Sequence, residues 1–149
     1  MAAAGVLEVG LAGMGGVDNL IELAKNTKRY GKTIWEDATF RHRITQFAIE
    51  NVAMRYSRIR MGIKMRKGQL TGNEVSVGKI FSSEGRKRRG DMIMEMIGAY
   101  SQLMRGDKRA VDDGDHVYAM LRARGATIEM GTSEVNRNII AERILGLPR

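Results

Sequence analysis

Apolar residues recur at three- and four-residue steps between positions 40 and 63, and this pattern constrains the fold most strongly. The set comprises Phe40, Ile44, Phe47, Ala48, Val52, Tyr56, Ile59 and Ile63. Such spacing is typical of one face of an α-helix. Asp37 is a suitable N-cap, and a helix over residues 38–66 would be about 43 Å long at 1.5 Å per residue. Helices of that length usually pack in bundles, so the sequence predicts a helical bundle.

Four further segments combine apolar periodicity with helix start or stop signals, and a helix is expected in each: residues 2–25, 71–104, 117–128 and 133–146. Thr71-Gly-Asn-Glu74 has capping-box spacing. Asp112-Asp-Gly-Asp115 predicts a turn and cap, and Gly146 a helix end. Strand-like alternation is not sustained anywhere in the sequence. The prediction is therefore an all-α bundle of about five helices, forming one domain over residues 1–149.

Composition narrows the class of protein. The 149 residues include one proline and no cysteine, which excludes disulfide scaffolds, collagen-like chains and most zinc clusters. No apolar run reaches the roughly 18 residues that a membrane helix needs, so no membrane span is expected. The apolar opening segment carries Glu8 and lacks a basic leader, unlike a secretory signal. Absence of cysteine fits a reducing compartment, and a cytoplasmic protein is expected.

The net charge of +8 is concentrated in basic runs at residues 55–67 and 86–89. Basic helical faces can bind phosphate-rich partners. However, the sequence lacks a recognition-helix motif, and only 5% of residues are aromatic, which disfavours base stacking. No nucleic-acid partner is therefore expected. An acidic small ligand or an acidic partner surface explains the charge equally well.

The sequence offers no recognisable metal site or nucleophile. His42 and His116 are far apart, and no HExxH motif, thiol or acidic ligand pattern accompanies them. No nucleophile elbow, Walker motif or GxGxxG loop is present. Eleven methionines at helical spacing are more often core filler than a cofactor site.

The most specific motif is Gly131-Thr-Ser-Glu134, followed by a hydrophobic residue and then Arg137-Asn-Ile-Ile-Ala-Glu-Arg143. This motif resembles the C-terminal signature of the acyl-CoA dehydrogenase family. Tyr30-Gly-Lys-Thr-Ile34 looks like the family's aromatic-Gly-Lys-x-Ile segment. Met96-Ile-Gly-Ala99 is similar to its flavin-contacting glycine loop. Together these motifs span almost the whole chain.

The resemblance implies the helical C-terminal domain of an FAD-dependent enzyme, without the family's N-terminal helical and middle β domains. Family members remove a proton from the carbon alpha to an acyl-CoA thioester and pass a β-hydride to flavin N5. Expected partners are therefore an acyl-CoA substrate, an electron-transfer acceptor, and further subunits in a homo-oligomer or a heteromer with a flavoprotein. Members are usually dimers or tetramers built through this bundle.

The position of the catalytic base distinguishes branches of the family. One branch places a glutamate directly before the glycine of the Gly-Thr-Ser-Glu loop, but Met130 occupies that position. The chain therefore resembles the isovaleryl-CoA dehydrogenase-like or steroid-type branch, in which the base would fall at or just before Met1, and we expect it upstream of Met1. Glu8, about two helical turns further on, and Glu129, one residue before Met130, are weak candidates within this chain.

Several residues match family positions that contact flavin or substrate. Thr132, Ser133 and Glu134 correspond to FAD contacts, and a loop entering a helix N-terminus suits an anionic cofactor. Gly98 matches the flavin-contacting loop. The remaining two, Met130 and Gly131, match positions lining the acyl-CoA thioester. Judged without the resemblance, Ser133 more simply caps its helix.

Other flavin contacts are replaced in this sequence. The family's diphosphate-binding Arg falls on Thr27, its first Gln on Ala38, and the Gln before the glycine loop on Glu95, while Ala99 replaces a Gly. Lys28 or Arg29 would have to supply the missing charge. Some steroid-degrading relatives pair an active subunit with one that has lost flavin contacts. A noncatalytic helical subunit docking onto a flavoprotein is therefore the main alternative, and a basic nucleic-acid-binding module a distant one.

Overall fold

A computed structural model describes residues 16–148 of the chain. The described part contains five α-helices and one short hairpin: α1 Val17–Asn26, β1 Lys28–Arg29, β2 Lys32–Thr33, α2 Ala38–Arg66, α3 Val75–Ile97, α4 Asp115–Ala126 and α5 Ser133–Ile139. Helix α5 continues as a π-turn over Ile140–Ile144. This architecture confirms the all-α prediction.

Two expectations for the beginning of the chain fall on residues that the structure does not describe. The predicted first helix starts at residue 2, whereas the description begins at Gly16 and α1 at Val17. Met1, upstream of which the catalytic base is expected, and Glu8, a weak candidate for that base, both lie outside the described residues. The placement of the base relative to Met1 therefore stays a prediction.

The hairpin lies in the segment expected to link the first two helices. Strands β1 and β2 pair antiparallel, with Lys28 opposite Thr33. Between them Tyr30 and Gly31 adopt φ values of 52° and 79°. Positive φ at both central residues is the geometry of a type I′ turn, whose twist matches that of paired strands. A hairpin of two-residue strands is too short to leave an alternating pattern in the sequence.

The predicted helix starts agree with the structure. The amide of Thr39 donates to Asp37 Oδ1 at 2.8 Å, so Asp37 is the N-cap of α2. The Thr71–Glu74 capping box forms on a 3-10 turn that precedes α3, with the amide of Thr71 donating to Glu74 Oε2 at 3.3 Å. Each of these two caps accepts a hydrogen bond from a backbone amide that would otherwise lack a partner at the start of the helix.

The predicted end of the second long helix is wrong. Helix α3 ends at Ile97 instead of extending to Met104, and residues 98–102 form a 3-10 turn. Gly98 has φ 58° and ψ −127°, a conformation reached almost only by glycine and incompatible with an α-helix. Glycine therefore terminates the helix here, whereas the apolar pattern continues past it.

The hydrophobic core joins α1, the first half of α2 and the end of α3. Its most buried members include Leu20, Ile44, Ile93 and Met96. Helices α3 and α4 pack closely at Gly90, where an added Cβ would lie 3.1 Å from Met120 Cα. This close approach explains a glycine inside a long helix.

The apolar series along α2 is buried only in its first part. Phe40, Ile44 and Phe47 are buried, but Val52 and Tyr56 are exposed. The periodic series includes a step of one residue, from Phe47 to Ala48, which rotates it by about 100°. The later residues consequently lie on a different side of the helix from the core.

No helix within residues 16–148 is long and apolar enough to cross a membrane.

Candidate functional site

The turn after α3 and the hairpin border a cleft of about 800 Å³. Gly98 and Ala99 line one side, and Thr27, Lys28 and Arg29 line another. The sequence motifs that contain Gly98 and Tyr30 are therefore brought together by the fold. A Cβ built on Gly98 would have no heavy atom of the described residues within 4 Å, so the Gly98 backbone borders open space in this part of the chain.

The cleft carries both basic and acidic side chains. Lys28, Arg29 and Arg109 line it together with Glu22 and Asp112. Lys28 and Arg29 follow Thr27 directly in the chain. An anion in this cleft would therefore have cations within the lining, although Thr27 itself carries no charge.

Glu95 does not line this cleft. Its carboxylate bonds both terminal nitrogens of Arg43, with Arg43 Nη2 donating to Glu95 Oε1 at 3.1 Å. The hydrogen bonds from Arg43 hold the pKa of Glu95 below its ordinary value. Glu95 therefore forms an ion pair that joins α2 and α3, and it is not among the residues that line the Gly98 cleft. Ala38, at the start of α2, is also absent from the lining.

Sequence reasoning did not single out Arg109 or Asp112 as cleft residues. Arg109 is held by Asp107, whose two carboxylate oxygens accept from Arg109 Nε at 3.1 Å and Nη2 at 2.9 Å. His116 Nε2 lies 2.7 Å from Asp112 Oδ2. Asp112 belongs to three consecutive residues with positive φ, ending at Gly114. The Asp-Asp-Gly sequence predicted this turn, but nothing in it showed that the turn faces the hairpin.

The loop before α5 has an unusual backbone. Met130 and Gly131 have φ values of 55° and 88°, and the Met130 side chain is exposed. The buried Asn136 side chain holds the loop, because its Nδ2 donates to the carbonyl oxygens of Gly131 and Thr132, each at 2.9 Å. Asn136 lies in the Gly-Thr-Ser-Glu motif region, but its role was not predicted from sequence.

The amides at the start of α5 already have partners. The amide of Ser133 donates to the carbonyl of Thr127 at 3.2 Å, and that of Asn136 to the carbonyl of Thr132 at 3.0 Å. The amide of Val135 donates to Thr132 Oγ1 at 3.3 Å, so Thr132 is the N-cap rather than Ser133. The backbone amide of Glu134 and the hydroxyl of Thr132 lower the pKa of the Glu134 carboxyl. The amides of Ser133, Val135 and Asn136 are therefore engaged within the chain.

Ser133 differs from its neighbours because its hydroxyl has no partner within residues 16–148. Its Oγ is buried and makes no hydrogen bond to any of these residues. Buried polar groups are usually satisfied, so an orphaned hydroxyl in a native fold needs an explanation. Thr132, Ser133 and Glu134 line a second cleft of about 470 Å³, with Lys87 and Arg137 among its basic residues. This cleft shares no lining residue with the Gly98 cleft.

Glu129 is paired in the structure. Its Oε1 lies 2.7 Å from Arg122 Nη1, and the hydrogen bonds from Arg122 lower the pKa of Glu129. A general base at neutral pH needs a pKa raised toward 7, so this pairing acts against proton abstraction by Glu129.

Comparison with known proteins identifies the class to which this helical fold belongs. The model of the family "Acyl-CoA dehydrogenase, C-terminal domain" matches residues 3–145. The chain therefore belongs to the acyl-CoA dehydrogenase family and corresponds to its C-terminal domain.

Among its relatives is acyl-CoA dehydrogenase IpdE1 of Mycobacterium tuberculosis, 32% identical over 133 residues, which cover 89% of this chain and 32% of the relative. The solved structure of the Tcur3481-Tcur3483 steroid ACAD has a TM-score of 0.76 at 22% identity, covering 89% of this chain and 33% of that chain. The ChsE4-ChsE5 complex from Mycobacterium tuberculosis has a TM-score of 0.74 at 24% identity, and the match covers 89% of this chain and 35% of that chain. The chain thus spans about a third of the length of these proteins.

Proposed function

We propose that this chain is the C-terminal α-bundle domain of an FAD-dependent acyl-CoA dehydrogenase, forming part of the flavin site, one wall of the acyl pocket and a subunit interface. Residues 1–149 would make up this one domain. The N-terminal helical and middle β domains would complete the enzyme from outside these residues. A cytoplasmic location fits the absence of cysteine.

The Gly98 cleft is the observation that carries this proposal. It places Lys28 and Arg29 beside a glycine whose backbone borders open space. Two cations next to an exposed backbone suit the diphosphate of FAD. At the second cleft, Thr132 and Glu134 are the more accessible of the proposed flavin contacts, because the Ser133 hydroxyl is buried. The residues present therefore fit the cofactor, although Thr27 and Ala99 depart from the family pattern.

The two clefts are separate, so we propose that they contribute to different parts of an assembled enzyme. Gly98 would contact the diphosphate end of FAD, while Thr132, Ser133 and Glu134 would contact the flavin in the other cleft. Met130 and Gly131 would lie against the thioester of the acyl-CoA. Bound FAD would accept the hydride that leaves the β-carbon of the substrate.

We propose that the catalytic base is a carboxylate upstream of Met1. The pairing of Glu129 with Arg122 disfavours the alternative base nearest the Met130 loop. Glu8 is the other candidate within this chain. In every case the carboxylate must lie within about 3 Å of the substrate carbon that loses its proton, which requires the complete assembly.

We propose a steroid-derived or fatty acyl-CoA as substrate and a separate protein as electron acceptor. The Tcur3481-Tcur3483 structure, described as a steroid ACAD, supports the steroid class. A homo-oligomer or a heteromer with a flavoprotein subunit would complete the site.

A second candidate function is a noncatalytic subunit of such a heteromer. The specific observation favouring it is Glu95, which stands at a family Gln position and is committed to Arg43. Both candidates predict association with a flavin-containing protein. They differ in whether the cofactor touches this chain.

Charge reversal in the hairpin tests the cofactor role. In the native assembly, Arg29→Glu is expected to weaken FAD binding at least about tenfold, equivalent to about 1.4 kcal/mol, because it reverses a cation lining the Gly98 cleft. Lys32→Glu is the matched control, since Lys32 is exposed in the same hairpin but does not line the cleft. FAD affinity is measured from the visible flavin spectrum during titration of the stripped assembly. Equal FAD affinity in the two variants would contradict a cofactor contact here and favour the noncatalytic subunit.

A further inference from the structure

The Gly98 cleft contains a pair formed by a histidine and a carboxylate. His116 Nε2 lies 2.7 Å from Asp112 Oδ2, and both residues line the cleft. An ionised carboxylate can only accept hydrogen bonds, so Nε2 carries a hydrogen and donates to Asp112. The other ring nitrogen, Nδ1, makes no hydrogen bond within residues 16–148. The pair therefore leaves one nitrogen of a cleft-lining imidazole available to a ligand.

The backbone before α4 holds Asp112 in place for this contact. Asp112, Asp113 and Gly114 have φ values of 47°, 52° and 76°, and non-glycine residues adopt such values only where the surrounding structure requires it. Gly114 packs against the backbone so closely that an added Cβ would lie 2.6 Å from the Arg105 nitrogen. The His116 side chain is only 17% exposed. Packing therefore fixes both members of the pair.

The titratable side chains that line the cleft with His116 come from all the described elements around it. They are Glu22 of α1, Lys28, Arg29 and Tyr30 of the hairpin, Tyr100 of the turn after α3, and Arg109 and Asp112 of the loop before α4. On α4 itself, the neighbouring Asp115 accepts from Arg105 Nε at 2.9 Å. Side chains of these types other than histidine ordinarily titrate below about pH 5 or above about pH 9. Near neutral pH, His116 is therefore the lining residue whose charge changes.

Protonation of His116 changes what the cleft can bind. In the neutral ring, with Nε2 donating to Asp112, Nδ1 can only accept a hydrogen bond. In the protonated ring, Nδ1 becomes a donor and the ring carries a positive charge. An ionised phosphate oxygen has no hydrogen to donate, so it pairs with the protonated ring and is opposed by the lone pair of the neutral one. The cations already in the lining favour such an anion.

We propose that Asp112 and His116 form a pH-sensitive phosphate contact of the Gly98 cleft. Asp112 positions the imidazole through Nε2, and the protonated ring donates from Nδ1 to the diphosphate of bound FAD. The inference rests on the proposed function for the identity of the ligand. It adds a binding residue, a positioning residue and a dependence of FAD affinity on pH, and it supplies a positive charge that Thr27 does not.

Titration of the flavin-stripped native assembly with FAD, at about pH 5.5 and about pH 8, tests the contact. At the lower pH, FAD is expected to bind the wild type at least about tenfold more tightly than His116→Gln. At the higher pH the two affinities are expected to be equal, because the wild-type ring is then neutral. His42→Gln is the matched control and is expected to behave as wild type, because His42 is the other histidine of the chain and does not line this cleft.

Asp112→Asn tests the positioning role. Asparagine retains an oxygen that can accept from Nε2 but removes the negative charge that favours the protonated ring. The pH below which FAD binding strengthens is therefore expected to fall. An Asp112→Asn assembly with the wild-type pH profile would show that Asp112 does not act through His116.

Deuterium exchange at imidazole C2, measured by mass spectrometry in the wild-type assembly, follows each histidine without a substitution. FAD is expected to move the exchange profile of His116 to higher pH and to leave that of His42 unchanged. An unchanged His116 profile, or the same pH dependence of FAD affinity in wild type and His116→Gln, would overturn the proposal. A pH-dependent effect of His116→Gln on coenzyme A affinity instead of FAD affinity would also overturn it, because the phosphate would then belong to the substrate.

Failure of this inference is distinguishable from failure of the proposed function. If Arg29→Glu weakens FAD binding but His116→Gln does not do so at either pH, the cofactor role stands and the phosphate contact at His116 is wrong. If neither variant weakens FAD binding, both are wrong.

Discussion

Replacing Gly114 with alanine is expected to lower the free energy of unfolding by about 3–5 kcal/mol. A Cβ at this position would lie 2.6 Å from the Arg105 nitrogen and 2.7 Å from the Met104 carbonyl carbon. Both are backbone atoms, so a flexible side chain cannot move aside. The φ of 76° adds strain of about 1–3 kcal/mol for a residue with a side chain, and overpacking typically costs another 1–3 kcal/mol.

Gly106→Ala separates the two causes. Gly106 also has a positive φ, 95°, but an added Cβ there would have no heavy atom of residues 16–148 within 4 Å. We expect only the strain contribution of about 1–3 kcal/mol. Urea unfolding of both variants measures the difference, which reports the steric clash. Equal losses of stability would show that residues 104–105 do not pack against Gly114 as described.

The Asn136→Ala variant is expected to lose about 1–3 kcal/mol of stability and to release the loop that carries Met130. The substitution removes both hydrogen bonds from Asn136 Nδ2 to the carbonyls of Gly131 and Thr132. Losing a buried hydrogen-bonding partner costs about that amount. The effect on the loop matters for function, because residues 130–134 are the proposed substrate and flavin contacts.

Asn138→Ala provides the control on the same helix. Asn138 is exposed, so its replacement is expected to change stability by less than about 0.5 kcal/mol. Stability is measured by urea unfolding, and loop order by proteolysis between Glu129 and Ser133. An Asn136→Ala protein as stable and as protease-resistant as Asn138→Ala would show that Asn136 does not hold this loop.

Local rules predicted the helix starts well. Asp37 and the Thr71–Glu74 box act through hydrogen bonds to amides within three residues, so their sequence spacing is sufficient evidence. The end of α3 could not be read in the same way, because the apolar series continues past Gly98. The backbone conformation of Gly98, and not a loss of the apolar pattern, ends the helix.

The exposed apolar residues of α2 show why periodicity does not establish burial. The residues from Phe40 to Ile63 form a helical series, but only tertiary packing determines which apolar side faces the core. Phe47 is buried against that core, whereas Tyr56 is exposed. The sequence contains both apolar sides and does not show which of them is buried in the core.

The sequence predicted the motifs of the candidate site but did not predict how the fold arranges them. Gly98 and the hairpin meet at one cleft, while Thr132 and Ser133 line another. The partners of Glu95 and Glu129 are Arg43, 52 residues away along the chain, and Arg122. The Arg43–Glu95 pairing joins two helices and depends on the fold, and the local Arg122–Glu129 pairing depends on how the chain turns after α4. Motif matching therefore could not show that these carboxylates are already engaged.

The central claim is that this chain contacts FAD directly, and amide hydrogen exchange in the native assembly tests it. Exchange is compared between the flavin-loaded and flavin-stripped assembly, with peptides covering residues 96–102 and 129–136. The account predicts that FAD slows exchange in both peptides, while the exposed turn around Gly68 is unchanged. Unchanged exchange in both peptides, in an assembly whose flavin spectrum shows full loading, would contradict it.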